Sequence, residues 1–312
     1  MKGKDLLSIS DLSSDDISLL ISDTMVMKAS GQLSSLSGKT LALLFEKPSL
    51  RTRVSFEVAI RQLGGQAIYL SPPEVGLGKR ESVADVARVL NRYVDAIVAR
   101  TFSHNTLEVL AGYTDVPVIN ALSDLEHPCQ ILADLFTIYE KKGGLKGLTL
   151  AYIGDGNNIA HSLLLAAALV GLNFRIASPK GYNVDEKILK KAQSYAIDSG
   201  SEIVLTEKAA QAAINADIIY TDVWTSMGQE KESKKRQQTF ADYQVNSKLL
   251  ALAREGAIFM HPLPAHRGEE VTEGILDSPA SVVFDQAENR MHLTKALLVS
   301  ILGGLEVPLP GY

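Results

Sequence analysis

Short apolar runs recur along this chain, and each is followed by a polar turn and then by a stretch with helical periodicity. In the first half the runs are Thr40–Phe45, Ala67–Leu70, Ala96–Ala99 and Val118–Ile119, read as strands. Helices are expected at Val83–Tyr93 and Thr106–Ala111. Ahead of them, Ser13-Ser14-Asp15-Asp16 reads as a capping box with Asp in the Glu position. Ile17, Leu20, Ile21 and Met25 then form a helical stripe, and Gly31 to Gly38 is a polar link. A second helical pattern follows the Thr40–Phe45 strand, with Val54, Val58 and Leu63 on one side.

The alternation restarts after Lys141-Lys142-Gly143-Gly144, where a helix starting near Pro128 ends. Strands are predicted at Leu148–Ile153, Phe174–Ala177, Ile203–Leu205, Ile218–Thr221, Ala257–Met260 and Val282–Phe284. Helices fall between them at Ile159–Val170 and Val184–Ser199, with a last one from Ala287 to about Leu302. Repeated strand–helix units predict an α/β protein of two domains, each a mainly parallel sheet flanked by helices. The expected domains are 1–142 and 148–286.

Composition narrows the class. The 312 residues are 46% hydrophobic and 21% charged, which fits a globular protein with two cores of ordinary size. A net charge of −5 gives no basic footprint for nucleic acid. The single cysteine, Cys129, excludes an intramolecular disulfide and fits a reducing compartment. The longest apolar run, Leu163 to Val170, is too short to span a bilayer, and no signal peptide is apparent. A cytoplasmic protein is expected.

The chemistry concentrates where strands end. Phe45 closes a strand, Pro48 ends it, and Ser49 is a natural N-cap for the helix that follows. This turn aims free backbone N–H groups, two hydroxyls and a guanidinium at one point, which makes an anion site suited to phosphate. The Gly-x4-Gly-Lys spacing of a Walker loop is absent. Arg100 follows another strand, where α/β proteins place ligand groups. His127 and Gln130 flank Pro128 at a helix start and can face one way, towards a small carbonyl and its amide. Cys129 between them has no identifiable base to activate it as a nucleophile.

In the second half, Gly154-Asp155-Gly156-Asn157-Asn158 resembles a dinucleotide fingerprint. Ile159 occupies the third glycine position, however, and no ribose-binding carboxylate ends the next strand. Asp222 and Ser226 suit an α-ammonium group. The charged stretch Lys231 to Arg236 reads as a solvated, mobile loop.

Ser49-Leu50-Arg51-Thr52-Arg53 is similar to the carbamoyl-phosphate signature of the aspartate/ornithine carbamoyltransferase family, which usually has Thr where Leu50 stands. The resemblance covers nearly the whole chain, with five motifs in family order. It implies that Ser49, the Leu50 N–H, Arg51, Thr52 and Arg100 hold phosphate. His127 and Gln130 orient the carbamoyl group, and Arg290 is an active-site arginine. Thr52, Arg100, His127 and Arg290 would carry catalysis. Asn158 matches the asparagine with which the family binds its amino-acid substrate, while Asp222, Ser226 and Met227 match the ornithine branch, as does Ala265-His266-Arg267-Gly268-Glu269-Glu270. In His261-Pro262-Leu263-Pro264, however, Pro262 replaces that branch's characteristic Cys, leaving backbone carbonyls such as that of Leu263 to accept from the amines. Gly76 likewise stands where family members often carry a polar side chain that reaches a neighbour's active site.

The activity implied is carbamoyl transfer from carbamoyl phosphate to the δ-amine of L-ornithine, giving L-citrulline and phosphate, as in arginine biosynthesis. No metal or organic cofactor is implied. The resemblance also implies a homotrimer, and a terminal helix (about 287–312) that packs back on the first domain. The alternatives are another amine acceptor (aspartate, an N-acylornithine or putrescine), a catalytically silent ligand-binding paralogue, and a nicotinamide-dependent oxidoreductase.

Overall fold

The apolar runs of the first half become four parallel strands: β1 (Thr40–Phe45), β2 (Gln66–Leu70), β3 (Ala96–Arg100) and β4 (Val118–Leu122). Those of the second half become five more: β5 (Thr149–Ile153), β6 (Asn173–Ala177), β7 (Ile203–Thr206), β8 (Ile218–Thr221) and β9 (Ile258–Met260). The structure is a computed structural model and describes residues 1–30, 35–226, 228 and 230–303. The chain divides into two units, Met1–Phe136 with the chain from Glu288 onward, and Thr137–Ala287. The helices Pro128–Lys142 and Val283–Leu302 each carry the chain across that division. The α/β architecture read from the alternation is the one that forms.

In the first unit the strand order is β2-β1-β3-β4. The central strands β1 and β3 are buried along almost their whole length, while the edge strand β2 is half exposed. This is why β1 and β3 read as continuous apolar runs: a parallel strand covered on both faces has no polar side. One layer of this core joins Ala42, Leu44, Ile97 and Ala99 to Val86, Leu107 and Leu110 of the covering helices. In the second unit the order is β7-β6-β5-β8-β9, and Ala151, Ile153, Ile219 and Phe259 pack with Trp224, Phe240 and Val283.

Strand order fixes where ligands can bind. Neighbouring connections leave in opposite directions between β1 and β3, and again between β5 and β8. At such switch points the loops from the strands' carboxyl ends part and open a crevice. Phe45 pairs with Arg100 across the first switch point, and Ile153 pairs with Thr221 across the second.

Four sequence expectations are corrected. Val282–Phe284 is not a strand, because Val283 starts the final helix, four residues before the expected Ala287. Ser281 makes only an isolated bridge to Phe259, and the Gln286 N–H then donates to the Val282 carbonyl at 2.8 Å. A β-branched run cannot be told from a buried helix start by periodicity. In the helix Leu50–Gln62, Val54 is exposed, and the buried face is Phe56, Ala59 and Ile60, continued by Leu63. In the helix Ser14–Ser30, the predicted stripe runs through Ile17, Leu20 and Ile21 to Thr24 and Met27, and Met25 points outward. The stretch Lys231 to Arg236 is solvated at Lys231, Glu232, Lys234 and Lys235, as expected, but it is not a loop. It runs into the helix Ser233–Phe240 with Arg236 buried.

Gly156, in the turn after β5, packs against backbone. A β-carbon there would lie 2.3 Å from both the Asn183 carbonyl carbon and the Val184 nitrogen. Its N–H donates to the Tyr182 carbonyl at 2.8 Å. Glycine is thus needed for the close approach of two chain segments. Gly156→Ala should cost about 2 kcal/mol or more through overpacking. That corresponds to a drop of roughly 4–8 °C in the unfolding temperature. Scanning calorimetry showing no drop would contradict this account of the turn.

Candidate active site

At the first switch point the chain leaves β1 through Glu46, whose N–H donates to the Arg100 carbonyl at 2.8 Å. The Glu46 carboxylate in turn accepts from the Phe102 N–H at 2.8 Å, tying the two loops together. Lys47 lies over the Phe102 ring, 4.4 Å from its centroid. Ser49 is extended (φ −157°, ψ 111°) and caps the helix Leu50–Gln62, its hydroxyl oxygen accepting from the Thr52 N–H at 3.4 Å. The first helical N–H groups have no intrahelical acceptor, so this end carries partial positive charge. Leu50 is 75% exposed, so what it brings to the turn is its backbone.

Thr52 is buried and accepts from Arg290 Nη2 at 2.8 Å. A hydroxyl that accepts from a guanidinium keeps its own proton to donate elsewhere. Arg100 ends β3, is also buried, and its Nε has no hydrogen-bond partner. Burial, then the charges of Arg290 and Arg51, push the Arg100 guanidinium down to about 10. Burial also lowers Arg51. Three like charges beside a helix N-terminus, with a buried donor unpaired, make a site that an anion completes.

His127 is buried, and burial, then Arg290 and Arg100, hold it well below the ordinary imidazole range. It is therefore a neutral imidazole near neutral pH, able to offer one N–H without adding a fourth positive charge. Gln130 donates Nε2–H to Asp134 Oδ1 at 2.9 Å, leaving its side-chain oxygen as an acceptor. The pair therefore carries a donor for a carbonyl and an acceptor for an amide. Cys129 donates to the Asn120 carbonyl at 3.3 Å, and burial pushes its thiol up to about 12. It has no thiolate character near neutrality and is no nucleophile.

The second switch point is built around an acid. Asn157 caps the helix Asn158–Val170, its side-chain oxygen accepting from the N–H groups of Ile159 (3.0 Å) and Ala160 (3.1 Å). Its amide donates to Asp222 Oδ2 at 2.9 Å. Asp222 follows β8 and is buried. Burial raises its carboxyl above the ordinary value, opposed by His261, the Asn157 hydrogen bond and the Val223 N–H. A buried carboxylate in this position is suited to an ammonium ion. Asn158 is half-buried at the first position of its helix, and Ser226 lies in the loop after Asp222. Met227 falls outside the described residues.

The His261 loop is fastened from both sides. His261 Nδ1 accepts from the Leu263 N–H at 2.9 Å, which places the ring proton on Nε2, 3.1 Å from Glu270 Oε1. Glu270 is fully buried and also accepts from the His266 N–H at 2.6 Å. Pro262 is buried, and Leu263 adopts φ +56°, a left-handed conformation that costs a residue with a β-carbon about 1–2 kcal/mol. The tether to His261 holds that conformation. Among the described residues, one group has metal-ligand spacing, His266 with Glu269 and Glu270. Glu270 Oε1 is already engaged by His261 and by the His266 backbone.

The structure thus gathers Thr52, Arg100, His127 and Arg290 at one place, and Asn158 with Asp222 at another. Three partners were not read from the sequence. Asn157 holds Asp222, Glu270 orients His261, and Arg236 pairs with Asp155 at 2.7 Å while also donating to the Trp224 carbonyl at 2.9 Å. Only Asn157 had a sequence signal, as an N-cap residue immediately ahead of a helical run.

Two family profiles match the chain in sequence. One is described as "Aspartate/ornithine carbamoyltransferase, carbamoyl-P binding domain", over residues 4–140. The other is the family's "Asp/Orn binding domain", over residues 146–301. A relative named ornithine carbamoyltransferase from Anoxybacillus flavithermus is 54% identical, covering 97% of this chain and 98% of that protein. One named "Ornithine carbamoyltransferase, anabolic" from Pyrococcus furiosus is 50% identical over 98% of each chain. A solved ornithine carbamoyltransferase from Pyrococcus furiosus superposes with a TM-score of 0.94 at 50% identity, covering 98% of this chain and 99% of that one. With a buried guanidinium cluster at one switch point, a buried carboxylate at the other and matches along nearly its whole length, this chain belongs to the aspartate/ornithine carbamoyltransferase family.

Proposed function

We propose that this protein transfers the carbamoyl group of carbamoyl phosphate to the δ-amine of L-ornithine, giving L-citrulline and phosphate. The observation that carries the reading is the buried Arg100, with its unpaired Nε, among the charges of Arg51 and Arg290. That arrangement suits a phosphate dianion and is costly without one. In this reading the first unit takes carbamoyl phosphate. Ser49, the N–H groups of Leu50 and Arg51, and the guanidiniums of Arg51 and Arg100 hold the phosphate. Thr52 and His127 donate to the carbamoyl oxygen, Arg290 orients Thr52, and the Gln130 oxygen accepts from the carbamoyl amide.

The second unit takes the amino acid. Asp222 and Ser226 hold the α-ammonium, Asn158 and the Met227 N–H hold the carboxylate, and the Pro262–Leu263 segment supplies a carbonyl for the side-chain amine. The neutral δ-amine attacks the carbamoyl carbon, and a carbon–nitrogen bond forms. Negative charge on the carbamoyl oxygen is met by donors already in place, at no cost in reorganisation. The intermediate then expels phosphate as its carbon–oxygen bond breaks, and phosphate accepts the proton that the amine gives up. Alignment of two bound reactants and stabilisation of one oxyanion account for the rate without a further group.

Pro262 supports a second reading, in which another amine is the acceptor, because the aspartate branch also has proline there. Against aspartate, whose one amine is the nucleophile, and N-acylornithine, whose α-nitrogen is an amide, stand Asp222 and Ser226, whose chemistry suits a second, non-reacting ammonium. The reading extends to a cytoplasmic homotrimer acting in arginine biosynthesis. No helix among the described residues is long and apolar enough to cross a membrane.

Formation of ureido products from carbamoyl phosphate should be fastest with ornithine in a panel including aspartate, acetylornithine and putrescine. Asp222→Asn should raise the KM for ornithine by about tenfold or more, since a hydrogen bond between charged groups contributes about 1.5–3 kcal/mol. It should leave carbamoyl-phosphate binding within about twofold. Faster use of any other amine by the wild-type protein would overturn the assignment.

The pH profile tests the attacking species. A lysine-like amine has its pKa near 10.4, so its neutral fraction grows about tenfold per pH unit below that. His127, held below the ordinary imidazole range, stays neutral throughout and adds no limb. The kcat/KM for ornithine should therefore climb between about pH 7 and 9. A flat profile would show that the bound amine loses its proton to a group on the enzyme.

A further inference from the structure

Asp222 is buried, and a buried carboxylate is useful to an ammonium only if it stays ionised and aimed. Several groups bear on it. Val223 donates its backbone N–H, the His261 ring contributes favourably, and Glu270 repels. Tyr152 also lies close, and burial, then the charges of Asp222 and Asp155, hold its phenol well above the ordinary value. Among these groups Asn157 is the neutral side chain that donates directly to the carboxylate, at 2.9 Å.

The Asn157 amide has no freedom to turn. Its oxygen accepts from two consecutive helix N–H groups, those of Ile159 and Ala160, and from the Tyr152 hydroxyl at 3.3 Å. Reversing the amide would put an NH2 group against two N–H donors. The nitrogen must therefore face Asp222. The backbone is fixed as well, since the Asn157 N–H donates to the Asp155 carbonyl at 2.8 Å and its carbonyl accepts from the His161 N–H at 2.9 Å. The start of one helix and the acid after β8 are thereby joined through a single side chain.

We infer that Asn157 is a positioning residue for the amine substrate, using its helix-cap bonds to hold the Asp222 carboxylate ionised and correctly oriented. The inference rests on the reading of Asp222 as the ammonium partner. Ser, Asp and Asn all cap helices well, yet only Asn both caps and presents a rigid amide donor. A cap needed for stability alone would accept serine.

Asn157→Ser keeps the cap and removes the amide donor. Steady-state kinetics should show the ornithine KM raised about tenfold, with carbamoyl-phosphate affinity by calorimetry within about twofold, which also reports a folded protein. Losing a hydrogen bond to the charged form raises a carboxyl pKa. The extra fall that Asp222 protonation adds on the acid limb of kcat/KM for ornithine should therefore begin at higher pH than in the wild type. Combined with Asp222→Asn, the serine change should add less than its separate effect. Wild-type ornithine KM and an unmoved acid limb in Asn157→Ser would overturn the inference while leaving the function standing, provided that Asp222→Asn is impaired. If Asp222→Asn itself uses ornithine normally, the ammonium reading fails and takes this inference with it.

Discussion

Like charges do not gather away from water without a reason, and the first unit gathers three, Arg100 and Arg290 buried and Arg51 half-buried. Arg51 comes from the helix after β1, Arg100 from the end of β3, and Arg290 from the last helix of the chain. The Arg290–Thr52 bond joins residues 238 positions apart. The far end of the chain must return to the first unit for that bond to form, and the division of the chain reflects this, with Glu288 onward belonging there. The repulsion among these groups is the standing cost of a preorganised anion site. Burial, helped by the charges of Arg290 and Arg100, keeps His127 uncharged, so that a neutral donor sits beside the cations.

The second unit solves the opposite problem with the same topology. Its switch point holds a carboxylate in place of guanidiniums, and the raised Asp222 carboxyl shows that burial, more than its neighbours, dominates there. In the proposed reading, a dianion and an ammonium are thus sorted by charge to different units before any detail of shape matters. The surrounding bonds are mostly structural in kind. Gly156 lets two segments meet, Asp155 and Arg236 neutralise each other in the interior, and Glu270 orients the His261 ring.

Much of this was legible because parallel sheets write themselves plainly. Buried central strands give apolar runs, and ligand groups follow at their carboxyl ends, so the turn at Ser49, Arg100 and Asp222 could be located without coordinates. Signals that need three dimensions were not legible. Val282-Val283-Phe284 has strand composition, yet becomes a helix start because Val283 is drawn into the core of the second unit. Val54 fits a helical stripe, but the face of that helix that packs inward carries Phe56, Ala59 and Ile60 and leaves Val54 exposed. Arg236 looks solvated until its partner Asp155, 81 residues earlier, is seen. Asn157 reads as a cap, and only the fold shows what the other end of its amide touches.

The central claim is that the first unit holds a site built for a phosphate-bearing dianion, whose charge relieves the guanidinium repulsion. Calorimetric unfolding of the ligand-free protein, with and without carbamoyl phosphate and in the absence of ornithine, tests it most directly. A ligand that binds only the folded state at about a hundred times its Kd adds about 2.7 kcal/mol of stability. The account predicts a clear rise in unfolding temperature with carbamoyl phosphate and a smaller one with inorganic phosphate, neither needing ornithine. Stabilisation by ornithine alone, with no response to carbamoyl phosphate, would contradict it.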